Sequence, residues 1–201
     1  AHTEARGVRN GVGLVKLMGR YSGFIAAFAT LANNDVNFCL VPEVPFSLDA
    51  FLEALQRRLE KRGHAVIVAG EGAGQDLMAA QQEQDASGNA LLGDVGVFLR
   101  DRIMEHCLRA GMHVGLKYID PSYTIRSVPA NPKDSAFCLL LGHNAAHAGL
   151  AGRTNMLVGY WKHRYTHVPI PLAVSRRKQI DPGSRLWRDV LSCTGQPREL
   201  V

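Results

Sequence analysis

In its first third the chain alternates unbroken apolar runs with amphipathic stretches, and this alternation restricts the fold more than any other feature of the sequence. Residues 12–17 (VGLVKL) have the length and apolar content of a buried strand, and residues 22–33, rich in alanine and phenylalanine, follow as a helix. Residues 36–41 make the next strand and stop at Pro42. Phe51, Leu55 and Leu59 then recur at helical spacing from a start near Ser47. Asp49 and Glu53 lie early in that helix and Arg57, Arg58, Lys61 and Arg62 late, the order that complements a helix dipole. Gly63 supplies a left-handed cap, and residues 65–69 (AVIVA) form a third strand. Strands and helices joined in this way by short connections imply parallel strands with right-handed crossovers, an α/β layered fold.

Residues 70–89 are too polar and glycine-bearing for a buried element and read mostly as loop with a helical turn. Val95, Leu99, Ile103 and Cys107 mark a helix ending at Gly111, followed by a strand over residues 112–118. Asn131-Pro132 is a cap and first-turn pair for a helix reaching about Gly149. Two strands, 155–161 and 167–171, and a short helix over 185–191 complete the pattern, with Trp161 and Trp187 as anchors of these terminal elements. The expected division is an α/β domain over 1–130 and a helix-strand segment over 131–201.

Hydrophobic residues make up 46% and charged residues 20% of the 201 positions, enough apolar material to close a core and too much for a disordered chain. The net charge of +5 favours anionic partners, whether phosphosugars, nucleotides or nucleic acid. Aromatic residues, at 7%, are not interleaved with the basic cluster Arg176-Arg177-Lys178, so that cluster reads as a solvated face and no nucleic-acid partner is expected. His143 and His147 share a helical spacing, yet neither an intervening glutamate nor a third ligand accompanies them, and they read as packing or surface groups. Four widely spaced cysteines form no CxxC pair, which fits a reducing cytosol, and the absence of a long apolar run or a leader-like N-terminus gives the expectation of a cytoplasmic protein with no membrane partner. The start at Ala1 without methionine suggests a fragment or processed product.

Three segments carry candidate chemistry. Met18, Gly19 and Arg20 sit where the first strand gives way to a helix, the end of a parallel sheet at which ligands bind. Glycine there admits close approach, arginine offers a planar fork to phosphate, and the helix starting near Ser22 presents amides to negative charge. Against this stands pairing of Arg20 with a surface carboxylate, which these three residues alone favour. Glu71 opens Glu71-Gly72-Ala73-Gly74 after the third strand, where a carboxylate accepts hydrogen bonds from sugar hydroxyls; an exposed glutamate in a glycine turn fits equally well. Residues 117–126 (KYIDPSYTIR) leave a strand through a proline turn, and Lys117 and Arg126 could converge on a phosphate dianion with Tyr123 adding a hydroxyl. Tyr118 and Ile125 are expected in the core, and Asp120 in the turn.

Met18-Gly19-Arg20, Glu71 within VAGEGAG, and Tyr123-Thr124-Ile125-Arg126 occur in the order and approximate spacing of the sugar-phosphate site of 6-phosphofructokinases. KLMGRYSGFIA and LKYIDPSYTIR together resemble the branch shared by plant ATP-dependent enzymes, kinetoplastid enzymes and some bacterial relatives. The resemblance runs from about Gly11 to Gln196 and implies a truncated, layered parallel-sheet phosphofructokinase-like fold. It also implies residue roles. Met18, Gly19 and Arg20 would line the fructose 6-phosphate pocket, Glu71 would hold sugar hydroxyls, and Tyr123 and Arg126 would bind the 6-phosphate, Tyr123 standing where bacterial enzymes carry histidine. Lys117 falls where those enzymes have an arginine reaching into a neighbouring subunit's site, which implies a homo-oligomer, a dimer or tetramer.

The sequence also departs from the family. Spacing puts Gly11 at a second interfacial arginine and Val36 at an effector-binding glutamate, so neither that contact nor the bacterial nucleotide effector site carries over. The family's GGDG-type phosphate loop and its TIDND-type segment, which supplies the aspartate base, do not occur in these residues. The expected activity of the intact protein is therefore glycolytic phosphoryl transfer to the 1-hydroxyl of fructose 6-phosphate, with ATP the favoured donor, pyrophosphate the alternative, and Mg2+ held by the half outside this sequence. A chain without the base and the phosphate cradle is expected to bind without turnover. The competing expectation is a non-catalytic sugar-phosphate-binding or regulatory subunit.

Overall fold

The computed structural model describes residues 1–78, 88 and 91–200. The chain divides into two compact units, Ala1–Ile125 with Gln179–Val201, and Arg126–Lys178. Among the described residues of the first unit, β1 (Gly11–Leu17), β2 (Phe38–Leu40), β3 (His64–Gly70) and β4 (Gly115–Ile119) form one parallel sheet in the order β2-β3-β1-β4. The sheet is sandwiched between two layers of helix, the α/β layered arrangement expected from the alternation.

Side-chain alternation assigns the faces. Val12, Leu14, Phe38, Leu40, Ala65, Ile67 and Ala69 pack with α3 (Leu48–Arg62) and α4 (Val95–Arg109). Cys39, Val41, Val66 and Val68 face the opposite way, onto Ala5 of α1 (His2–Arg6), Ala26 and Ala27 of α2 (Phe24–Ala32), and Trp187 and Val190 of α8 (Arg185–Thr194). Local signals hold where they are chemical. Ser47 caps α3 by accepting from the Ala50 amide, and Gly63 ends it with φ of 73°.

β2 is shorter than the strand expected over 36–41, because the Asn37 side chain takes over a ladder position, its Oδ1 accepting from the Val66 amide at 2.9 Å. As an edge strand β2 is covered by the Gln196 amide, which accepts from Cys39 N at 2.7 Å and donates to Cys39 O at 3.3 Å. Residues 179–201 thus pack within the first unit rather than with the segment that begins at 131, because Trp187, Val190 and Gln196 all find their partners there. α1 was not expected; its Ala5 carbonyl would stand 2.0 Å from a Cβ at Gly11, so α1 as placed leaves no room there for any side chain, arginine included.

The expected loop over 70–89 contains a 3-10 turn (Gln75–Leu77), and residues 79–87 and 89 lie outside the described residues. α5 (Ser122–Ser127) stands where a proline turn was expected, and none of its residues is buried. Ile125, expected in the core, is 43% exposed for that reason.

The second unit holds α6 (Pro132–Leu150), capped by Asn131, an antiparallel hairpin of β5 (Met156–Trp161) and β6 (Arg164–Pro169), and α7 (Ile170–Ala173). Phe137 of α6 packs edge-on to Tyr160 and stacks with Tyr165 of the hairpin. His143 and His147 lie exposed on α6, and Arg176, Arg177 and Lys178 are exposed as well. Trp161, expected to be an anchor, is instead 68% exposed. Among the described residues no helix is long and apolar enough to cross a membrane.

Candidate site at the carboxyl ends of the strands

β1 and β3 are neighbours in register from Gly11↔His64 to Leu17↔Gly70, so the turns that follow them begin at the same level. The Glu71 amide donates to Leu17 O at 2.9 Å and the Gly72 amide to Gly19 O at 3.3 Å. The Gly19 amide in turn donates to the Glu71 carboxylate at 3.4 Å. Met18-Gly19-Arg20 and the Glu71-Gly72-Ala73-Gly74 turn are therefore laced together, backbone to backbone and side chain to backbone. Gly19 has φ of 143° and a Cβ there would meet Ser22 O at 2.6 Å; a Cβ at Gly72 would meet Arg20 O at 1.9 Å. Both glycines are required by close approach.

Gln75 steadies this turn from behind. Its Nε2 donates to Glu71 O at 2.7 Å and to Gly93 O at 3.0 Å, while its Oε1 accepts from the Gly93 amide at 3.0 Å. One amide side chain thereby ties the Glu71 backbone to the residue that precedes the α4 cap.

The amides expected to meet negative charge at the start of α2 have a resident anion. Both oxygens of Glu43 lie 3.0 Å from the Gly23 amide, and Oε1 also accepts from the Ile180 amide at 2.8 Å. Gly23 is the N-cap of α2, so Glu43 supplies the counter-charge that the helix start favours, and an external anion has to be held by other groups. The only sequence signal was Pro42-Glu43 directly after a buried strand.

The remaining expected residues are placed differently. Lys117 is exposed on edge strand β4, opposite Gly13. Met18 is five positions beyond Gly13, roughly 16 Å along a strand, so within this chain Lys117 does not join the Gly19–Glu71 turns. Tyr123, in the first turn of α5, is 81% exposed. Arg126, later in α5, belongs to the second unit.

A cluster that the sequence reading missed lies just below the turns. Lys16, near the end of β1, places its ammonium 3.0 Å from Asp94 and 3.0 Å from Asp120. Asp94 caps α4 by accepting from the Gly96 and Val97 amides at 2.9 and 3.1 Å, and it also accepts from the Tyr118 hydroxyl at 3.1 Å. Asp120 accepts from the Ser122 amide at 3.1 Å and from its hydroxyl. Burial alone would raise both aspartates, but the Val97 amide and Lys16 outweigh it at Asp94, as Ser122 and Lys16 do at Asp120, and both carboxyls end below the usual range. Burial alone would lower Lys16, and its bonds to Asp120 and Asp94 reverse the sign and raise it.

Carboxyls depressed in the folded state contribute stability above their unfolded pKa of about 3.9 and lose it as pH falls through the folded value. Thermal stability of the chain is thus expected to fall with acid below about pH 4. Asp94→Asn, which keeps a helix-capping side chain, is expected to make that acid dependence shallower. Superimposable profiles of melting temperature against pH for the two proteins would refute the assignment.

Burial pushes the Cys39 thiol up to about 11, which leaves it an inert core group. Among the described residues no three histidine, cysteine or acidic side chains gather in a group able to hold a metal ion. Asp94 and Asp120 already share Lys16, so the donor set that Mg2+ requires is not offered by these residues.

The chain is 49% identical over 207 residues to the ATP-dependent 6-phosphofructokinase of Borreliella burgdorferi, an overlap of 98% of this chain and 46% of that one. It is 47% identical over 203 residues to ATP-dependent 6-phosphofructokinase 7 of Arabidopsis thaliana, covering 98% of this chain and 42% of the relative. The chain thus spans about half the length of the relatives it matches. A crystal structure of a pyrophosphate-dependent phosphofructokinase from Marinobacter aquaeolei superposes with a TM-score of 0.68 at 20% identity, over 95% of this chain and 49% of that one, a likeness of fold alone. Residues 1–149, which carry the laced glycine turns, the Lys16 cluster and α5, match the phosphofructokinase family model, and the chain belongs to that family.

Proposed function

We propose that this chain forms the sugar-phosphate-binding half of an ATP-dependent 6-phosphofructokinase, which transfers the terminal phosphoryl group of ATP to the 1-hydroxyl of fructose 6-phosphate in glycolysis. The observation that carries the reading is the 3.4 Å contact between the Gly19 amide and the Glu71 carboxylate, which fixes two separate motif turns against each other at the carboxyl end of the sheet. Glu71 then faces a sugar with an acceptor already oriented, suited to hydroxyls and repelling phosphate. Arg20, beside it, supplies the cation for the phosphoryl group in transit, and Tyr123 and Arg126 take the 6-phosphate. ATP is favoured over pyrophosphate because the relatives at 47–49% identity are named ATP-dependent, whereas the pyrophosphate-dependent likeness, at 20% identity, carries fold only.

The proposal extends to the assembly. Lys117, exposed on edge strand β4 and distant from the turns of its own chain, suits a role in a neighbouring subunit's site within a homo-oligomer. Mg2+ accompanies the nucleotide phosphates and is held outside these residues. A cytoplasmic location and allosteric control belong to the same reading of the intact enzyme.

Isothermal titration with fructose 6-phosphate tests it. The chain is expected to bind weakly, and Arg126→Ala to weaken binding by about 1.5–3 kcal/mol, the worth of a charge-assisted hydrogen bond. Equal affinity in the two proteins removes Arg126 from the site, and no heat of binding in the parent chain overturns the reading itself.

A further inference from the structure

Lys16 holds three elements at once. It projects from the end of β1, two residues before Met18-Gly19-Arg20, onto the N-cap of α4 and onto the joint between β4 and α5. The Lys16 side chain is 15% exposed while Asp94 and Asp120 are 43% and 33% exposed, so the ammonium is largely covered and its two carboxylate partners stay partly open to water. The Tyr118 ring that completes the cluster rests on α4 at Gly96, where a Cβ would stand 2.3 Å from the ring. Tyr118 and Asp94 are thereby fixed from below, and Asp120 is fixed to Ser122. One ammonium is the shared partner of two carboxylates whose positions decide where α4 and α5 begin.

From this arrangement we infer that Lys16 is a positioning residue for the sugar-phosphate site: it sets the α5 segment bearing Tyr123 in register with the Met18-Gly19-Arg20 turn, without itself touching the ligand. The inference rests on the function proposed above, since it takes those two segments as the halves of one site. Its physical content is a tether. Without the ammonium, Asp94 keeps its amides and the Tyr118 hydroxyl, but Asp120 loses its only ion pair to the sheet among those described. The two carboxylates then repel one another, and the β4–α5 joint is free to swing away from β1.

Lys16→Met and Lys16→Arg, studied in the whole chain, separate this tether from general stability. Amide hydrogen exchange in peptides covering 119–127 is expected to speed up by about tenfold or more in Lys16→Met, the factor that loss of a charge-assisted bond implies. Exchange over α3, residues 48–62, is expected to stay as in the parent. The dissociation constant for fructose 6-phosphate, measured where every variant is fully folded, should rise about tenfold in Lys16→Met and return to within about threefold of the parent in Lys16→Arg. A residue that only adds to global stability leaves that constant unchanged, so an unchanged value in folded Lys16→Met overturns the inference. Unchanged exchange over 119–127 overturns it too. If the parent chain binds no fructose 6-phosphate, the proposed function fails, and the exchange comparison alone then decides whether Lys16 tethers α5. Should Lys16→Met fail to fold, the double variant Lys16→Met/Asp120→Asn relieves the unbalanced charge while still lacking the tether, and the same two outcomes are read from it.

Discussion

Replacement of Gly72 by alanine is expected to cost about 3 kcal/mol of stability, at the upper end of what one methyl group costs in an overpacked site. The added carbon would lie 1.9 Å from Arg20 O and 2.7 Å from Arg20 C, with Pro42 Cγ at 2.9 Å on another side. None of these is the end of a flexible side chain. To make room, the Arg20 backbone has to withdraw from β3, which breaks the Gly72 to Gly19 bond and shifts the Gly19 amide off Glu71. Stability and sugar-phosphate binding therefore fall together. Gly63→Ala is the internal comparison: Gly63 has φ of 73° with nothing within 4 Å of its Cβ position, so the substitution pays only for left-handed backbone, about 1 kcal/mol. Urea unfolding of the two variants measures the difference. A Gly72→Ala chain no less stable than Gly63→Ala would mean that the two turns are not packed as described.

That contrast also marks what a sequence can disclose. Gly63 was legible because its reason is local: it follows a helix whose charges and apolar spacing already announce an end. The reason for Gly72 lies at Arg20, in the turn after β1 about fifty residues away, and GxG by itself says nothing about which backbone comes close. The same division runs through the molecule. Four parallel strands and the long helices were readable from apolar runs, from Ser47 and Asn131 at helix starts, and from Gly63 and Gly111 at helix ends.

Lys16 was partly visible, since Val12 and Leu14 set an alternation that sends a lysine toward the α4 face, where it must find a partner. Its partners Asp94 and Asp120 are 78 and 104 positions along, and no local pattern identifies them. Glu43 escaped for the same reason, and with it the fact that α2 begins on a carboxylate. The tight hairpin between β5 and β6 turns on Lys162 and His163, both with positive φ, where a readable signal would have been Asn-Gly. α1 spans five residues, too few to display a period.

Trp187→Ala is expected to be the most damaging single substitution considered, at about 3–5 kcal/mol, and Trp161→Ala to change stability by no more than about 0.5 kcal/mol. The two tryptophans of the chain looked alike in the sequence, each in a short element near the C-terminus. Their surroundings differ completely. Trp187 is 3% exposed and packs in the cluster that contains Ala26 and Ala27 of α2, Val36, and Cys39 and Val41 beside the sheet edge. Trp161 is 68% exposed at the end of β5. Removing the indole of Trp187 leaves a void against α2 and unseats α8, and with α8 goes the Gln196 amide that satisfies both backbone groups of Cys39 on the edge strand. The cost is therefore a cavity plus an exposed sheet edge, which is why the upper part of the range is expected. In a Trp161→Phe background the remaining fluorescence reports Trp187 alone, so its unfolding transition can be compared with circular dichroism of the whole chain. Coincident transitions are expected if residues 179–201 are an integral part of the sheet unit. A Trp187 signal that melts well before the sheet, or a Trp187→Ala chain of nearly parental stability, would show the C-terminal stretch to be a loosely attached tail.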